Sequence, residues 1–175
     1  MPELTEIRWH ARAGQGAKTA SQLLALALLR SGRSVQAFPE YGPERRGSPM
    51  RAYTRYDDRP IRRRDSIEEP DAVVVLEPSL AHGSEVTTGL RPGGLLLVNS
   101  DEPIAGAICV AADRIAADAV NLVMLGAVAA CLGEPSLEDL AGAAIEVLGR
   151  KADPARLAAA LEAGHDAALE ERWAA

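Results

Sequence analysis

Hydrophobic and polar positions fall into two patterns that change over about two-thirds of the way along the chain. Residues 6–10 alternate briefly and predict a first strand, which leads into a loop at 11–16. Leu23, Leu24, Ala27 and Leu28 then repeat at helical spacing, predicting a helix over 18–30 that Gly32 stops. Residues 34–38 predict a second strand and residues 50–56 a third. The turn Asp57-Asp58-Arg59-Pro60 predicts that this third strand forms a hairpin with a short strand near Ile61. Residues 72–76 are a continuous, largely β-branched run, as expected for a parallel strand buried on both faces, and 95–98 and 107–111 predict two more strands. From Arg114 onward the period turns helical, over 115–131, 136–148 and 154–169, with Ser136 and Asp153 placed as N-caps. Strands alternating with helices predict an α/β chain. The expected architecture is a Rossmann-like, doubly wound, mostly parallel sheet with a β-hairpin insertion and C-terminal helices, in a single domain over 1–175.

Between the second and third strands the pattern stops. Phe38-Pro39-Glu40-Tyr41-Gly42-Pro43-Glu44-Arg45-Arg46-Gly47-Ser48-Pro49 carries three prolines and two glycines, so it reads as a shaped loop rather than regular structure. Charge sharpens the picture here. The chain carries a net −6, yet residues 45–64 hold eight arginines and two acids, net +6, which leaves −12 for the remainder. That balance disfavours general nucleic-acid binding and points to a specific anionic ligand or acidic partner. Arg45 and Arg46 suit fork-like recognition of phosphate or carboxylate, and Tyr41 and Glu44 complete an interface set. The competing reading is that Glu40 and Glu44 pair with these arginines to brace the loop from within. Arg62-Arg63-Arg64 reads as a solvated strand edge.

The loop Ala11-Arg12-Ala13-Gly14-Gln15-Gly16 stands where a dinucleotide fingerprint would stand, but Ala11 and Ala13 occupy its first two glycine positions. Arg12 and the amides near Gln15 and Gly16 could still receive a phosphate or carboxylate; a tight strand-to-helix turn without ligand explains the same residues. Glu40 is the one acid placed for a ribose. His10 falls at the carboxyl end of the first strand, where α/β sheets bind ligands, whereas His165 reads as a surface or interface residue. No nucleophile–base constellation marks a catalytic site. Two cysteines, Cys109 and Cys131, are expected as free thiols and cannot supply a cluster or zinc site by themselves. The apolar stretch 115–132 is interrupted by Asp118 and Asn121, so a buried or interface helix is expected rather than a membrane span. With no apolar leader at its start, the chain is expected in the cytoplasm.

Three segments taken together resemble the gamma subunit of the 2-oxoacid:ferredoxin oxidoreductases, of the pyruvate or 2-oxoisovalerate type. Residues 7–16 are similar to that family's opening H-G-R-G-G-Q-G, with Ala11 and Ala13 replacing glycines. Residues 36–49 resemble its most distinctive block almost throughout. Asn121-Leu122-Val123-Met124-Leu125-Gly126-Ala127 is similar to its N-x-x-M-L-G-A helix. The resemblance implies an enzyme that converts a 2-oxoacid and coenzyme A to an acyl-CoA and carbon dioxide, or the reverse, with electrons passing to ferredoxin. It implies thiamine diphosphate, Mg2+ and iron–sulfur clusters in the complex, held by alpha, beta and delta-type subunits. This chain would then be inactive alone and would serve assembly and the walls of the coenzyme A region. The small subunit of indolepyruvate oxidoreductase, which shares the first loop type, is an alternative. A free-standing Rossmann-like nucleotide-binding protein and an interaction module that has lost its enzyme partners are others.

Overall fold

The computed structural model describes residues 4–40 and 47–174. Six strands form one sheet in the order β2-β3-β1-β4-β5-β6. They are β1 (Thr5–Arg12), β2 (Ser34–Glu40), β3 (Pro49–Asp57), β4 (Ala72–Val75), β5 (Leu95–Asn99) and β6 (Ile108–Val110). β1, β4, β5 and β6 are parallel, while β3 runs antiparallel to both β1 and β2. The sheet is therefore mixed, with β3 alone reversed. The hairpin expected between β3 and a strand near Ile61 is absent; β3 instead pairs antiparallel with β2. No strand forms near Ile61, because Ile61 lies beyond the turn at a place where its carbonyl accepts only a side-chain hydrogen bond from Gln36. The proline-rich segment spans the β2–β3 connection, but it is not all loop as expected: Phe38, Pro39 and Glu40 pair within β2 and Pro49 begins β3.

Alternation along β1 sorts its side chains between two faces. Ile7, Trp9 and Ala11 enter the main core with Val74 and Leu76. Over that core pack the long helices α1 (Ala17–Arg30), α4 (Val120–Leu132), α5 (Leu137–Leu148) and α6 (Pro154–Ala174). Trp9 is wholly buried, and its indole N–H donates to Thr54 Oγ1 at 3.1 Å, so its burial leaves no polar atom stranded. On the opposite face Val73, Val75 and Val98 form a smaller apolar cluster. It is covered by a 3-10 turn at Pro78–Leu80 and the short α2 (Ser84–Thr87). The β-branched run is buried on both sides, as its composition requires.

The predicted helix through 115–131 is divided into α3 (Ala112–Ala116) and α4, with 117–119 between them. Asn99 fixes the start of α3: its Oδ1 accepts from Ala112 N–H at 3.0 Å and its Nδ2 donates to Asp113 at 2.7 Å. Ser136 and Asp153 cap α5 and α6 as expected, accepting from Asp139 N–H and Ala155 N–H. α4 and α6 meet at glycines. A Cβ on Gly126 would lie 1.9 Å from Leu161 O, and one on Gly164 would lie 1.8 Å from Val123 O. The glycine of the N-x-x-M-L-G-A segment is thereby explained by backbone contact between two helices. Among the described residues no helix is long and apolar enough to cross a membrane.

Candidate functional site

The chain leaves β1 through α1 toward β2 on one side, and through β4, β5 and β6 on the other. The carboxyl ends of β1 and β4 therefore bound the crevice where open α/β sheets receive ligands. Two loops meet there. Gln15 Oε1 accepts from the Arg12 backbone N–H at 2.7 Å, and Gln15 Nε2 donates to Glu77 Oε2 at 2.6 Å. The Arg12 guanidinium donates to Gly47 O at 3.1 Å and Ser79 Oγ at 3.2 Å. The Ser79 hydroxyl in turn donates to Glu77 Oε1 at 2.7 Å. Burial works against charge on Glu77, but hydrogen bonds from Ser79 and Gln15, with Arg12 nearby, hold its carboxyl below the ordinary value. Arg12 and Gln15, predicted as phosphate ligands, thus brace the loops after β1 and β4 and the end of the β2–β3 connection. Arg12 stays 40% exposed at its side chain, so one side of its guanidinium remains open.

Gly16, the third predicted ligand of this loop, has φ +83° and caps α1. A Cβ there would lie 2.7 Å from Asn121 Nδ2, so close packing with α4 explains this glycine. Ala11 points its Cβ into the helix-side core and is fully buried. Ala13 exchanges backbone hydrogen bonds with the segment closing the β2–β3 connection, donating to Ser48 O at 2.9 Å and accepting from Gly47 N–H at 3.4 Å. Tyr41, Glu44, Arg45 and Arg46 lie outside the described residues. Glu40 lies at the end of β2, where it accepts from the Tyr53 hydroxyl and faces Arg51 at 3.9 Å.

The arginine-rich segment does not form one patch, because β3 carries it along the whole length of the sheet. Arg51 sits at the carboxyl end of β1, opposite His10, and Arg55 sits opposite Glu6 at the other end. Arg55 is fully buried and meets Glu6 at 2.8 Å, while Arg63 and Arg91 approach the same carboxylate at 3.8 and 3.7 Å. Arg59, Arg62 and Arg64 are exposed beyond the end of β3. A charge run local in sequence is therefore divided into a buried ion pair and two separate surfaces.

Between these ends, Arg8 and His10 lie on the sheet face opposite the long helices. Arg8 Nε donates to His10 Nε2 at 2.9 Å. Arg8 Nη2 donates to the carbonyls of Val86 and Thr88 at 2.9 and 2.6 Å, clipping α2 onto the sheet. Burial, and then Arg8 and Arg51, lower the His10 pKa to about 3, so the ring is neutral near pH 7. Burial and the Glu40 hydrogen bond push the Tyr53 phenol up to about 12. A cleft of about 400 Å³ opens here, lined by His10, Pro49, Met50, Arg51, Leu80 and Val86 among others. Of these, His10 was legible from its place at a strand end. Arg51, Glu77 and Ser79 were not, although Glu77 directly follows the buried β-branched run, which is the available signal for a strand's carboxyl end. Among the described residues no group of three or more His, Cys, Asp or Glu side chains is placed to hold a metal ion.

Residues 6–168 match the family described as pyruvate ferredoxin/flavodoxin oxidoreductase. The chain is 44% identical over 161 residues to the pyruvate synthase subunit PorC of Thermotoga maritima, covering 83% of each chain. It is 42% identical over 153 residues to the pyruvate/ketoisovalerate oxidoreductases common subunit gamma of Thermococcus kodakarensis, covering 78% of this chain and 83% of that one. The crystal structure of the pyruvate oxidoreductase subunit PORC from Thermotoga maritima superposes with a TM-score of 0.83. That match has 36% identity and covers 94% of this chain and 97% of the other.

Proposed function

Because this chain belongs to the pyruvate ferredoxin/flavodoxin oxidoreductase family and is a gamma-type subunit, we propose how it serves that enzyme. It acts in a thiamine-diphosphate- and iron–sulfur-dependent complex that oxidises pyruvate or a related 2-oxoacid to an acyl-CoA, or runs the reaction in reverse. The family match over residues 6–168 carries this reading. The chemistry of the donor set supports the division of labour. An iron–sulfur cluster takes four cysteine thiolates, and this chain has two cysteines, one in β6 and one in α4. The clusters are therefore assigned to other subunits; the resemblance implies that these are of delta type and that alpha and beta subunits hold thiamine diphosphate with Mg2+. When bound there, thiamine diphosphate supplies the carbanion chemistry of decarboxylation.

What this chain adds is a braced wall. Arg12, Gln15, Glu77 and Ser79 lock the loops at the carboxyl ends of β1 and β4. Preorganised loops of this kind hold their shape against a partner subunit or a coenzyme A phosphate. Arg12 presents the open side of its guanidinium there. Arg45 and Arg46, in the family-like block, supply further fixed forks for phosphate or for an acidic partner surface. The test is reconstitution of the complex with Arg45→Ala and Arg46→Ala chains. A rise in the apparent KM for coenzyme A identifies a phosphate contact, and weakened assembly identifies a subunit contact. Unchanged affinity and assembly contradict the assignment.

A further inference from the structure

Arginine can only donate hydrogen bonds. The Arg8 Nε–His10 Nε2 bond of 2.9 Å therefore fixes the tautomer of the neutral imidazole: Nε2 carries the lone pair and Nδ1 carries the proton. Among the described residues no hydrogen bond is made to Nδ1–H, and His10 is only 5% exposed and lines the cleft of about 400 Å³. A donor without a protein acceptor at the edge of a void is a binding group in waiting. A second group stands beside it. Arg51 lies directly opposite His10 across the β1–β3 pair and lines the same cleft. Its ion pairs are long, 3.9 Å to Glu40 and 3.9 Å to Glu85. Glu40 is already engaged by the Tyr53 hydroxyl, whereas the Glu85 side chain is 87% exposed and held by little else.

Charge on this face is unevenly met. Arg8 is buried against carbonyl oxygens of Val86, Thr88 and Glu68, with no carboxylate of the described residues at ion-pair distance. Once Glu85 turns to solvent, Arg8 and Arg51 face, among the described residues, the single carboxylate of Glu40. One additional anionic oxygen group restores the balance. The remaining wall is mostly apolar, with Pro49, Met50, Leu80 and Val86, and includes Ser79.

We propose that this cleft is a binding site for a small aliphatic carboxylate, whose oxygens take the His10 Nδ1–H and the Arg51 guanidinium in place of Glu85. Its hydrocarbon part lies against Met50, Leu80 and Val86. The site adjoins the Arg12–Glu77 brace at Ser79 but does not depend on the coenzyme A reading above. Polar recognition at a small cleft of this kind supports a dissociation constant on the order of 1 mM.

The test uses nitrogen NMR of the imidazole in the full 175-residue chain, with sodium butyrate and butyramide as probes. Nδ1 should be the protonated nitrogen of His10 and should shift on adding butyrate, while butyramide binds at least about tenfold more weakly. Glu85→Gln, at an exposed side chain, should tighten butyrate binding, and Arg51→Gln should weaken it about tenfold. Protonation at Nε2, absence of a butyrate shift, equal binding of the amide, or a Glu85→Gln chain that binds no tighter would each overturn the proposal.

Discussion

Gly16 and Asn121 pack so closely that a Cβ on Gly16 would lie 2.7 Å from Asn121 Nδ2. Gly16 ends the loop after β1, and Asn121 lies in the first turn of α4, so this contact fixes helix α4 against the ligand-binding edge of the sheet. Gly16→Ala should destabilise the chain by about 1–2 kcal/mol from its positive φ alone, with a further loss from the contact. Asn121→Ala should recover the contact part in the double variant but not the backbone part. Denaturant unfolding of the four chains of this cycle measures both; simple additivity would contradict the contact.

The crossing of α4 and α6 makes a harsher demand. Gly126→Ala and Gly164→Ala each place a methyl group against a carbonyl of the facing helix, at 1.9 and 1.8 Å before any shift. Each should lower stability by about 1–3 kcal/mol or more through separation of the helices. A thermal midpoint within experimental error of the parent would show that the helices do not meet there.

Glu6 and Arg63 provide a contrast between buried and exposed partners. Glu6→Gln removes the nearer carboxylate from the fully buried Arg55, leaving Asp65 at 3.5 Å, and should cost up to about 3–5 kcal/mol. Arg63 has a half-exposed side chain, so Arg63→Ala should cost far less than Glu6→Gln. Equal effects of the two substitutions, read by urea unfolding, would contradict the placement of Arg55.

His10 makes stability depend on pH. Its folded pKa is lowered to about 3, by burial first and then by Arg8 and Arg51. In the unfolded chain it returns to roughly 6.5. The unfolded state therefore binds the proton more readily. The contribution is fully present above the unfolded pKa and is lost as pH falls through roughly 6.5 toward 3. His10→Gln keeps an acceptor for Arg8 but does not titrate. Its stability should fall less steeply between pH 7 and 5, by up to about 1.4 kcal/mol per pH unit. Parallel slopes would mean that His10 is charged in the folded chain.

The strands and helices were legible where burial imposes a period. The β-branched run of β4 and the caps Ser136 and Asp153 are examples. The partner of β3 was not legible. Asp57-Asp58-Arg59-Pro60 marks a turn correctly, but a turn does not say which strand lies alongside. The pairing was set by β2 and β1, whose residues match β3 on both faces. The hydrogen-bond partners of the candidate site were hidden for a related reason. Arg12 and Gln15 look like phosphate ligands in sequence, yet Glu77 and Ser79, far along the chain, use their hydrogen bonds. The arginine-rich run looked like one positive field because sequence proximity hides that a nine-residue strand separates its ends.

This chain is proposed to work as a required, non-catalytic subunit of a 2-oxoacid oxidoreductase. The direct measurement is 2-oxoacid- and coenzyme A-dependent reduction of ferredoxin by the complex purified with and without this chain. Full activity is expected only with the chain present, and no turnover by the chain alone. Undiminished activity of the remaining subunits without it would contradict the claim.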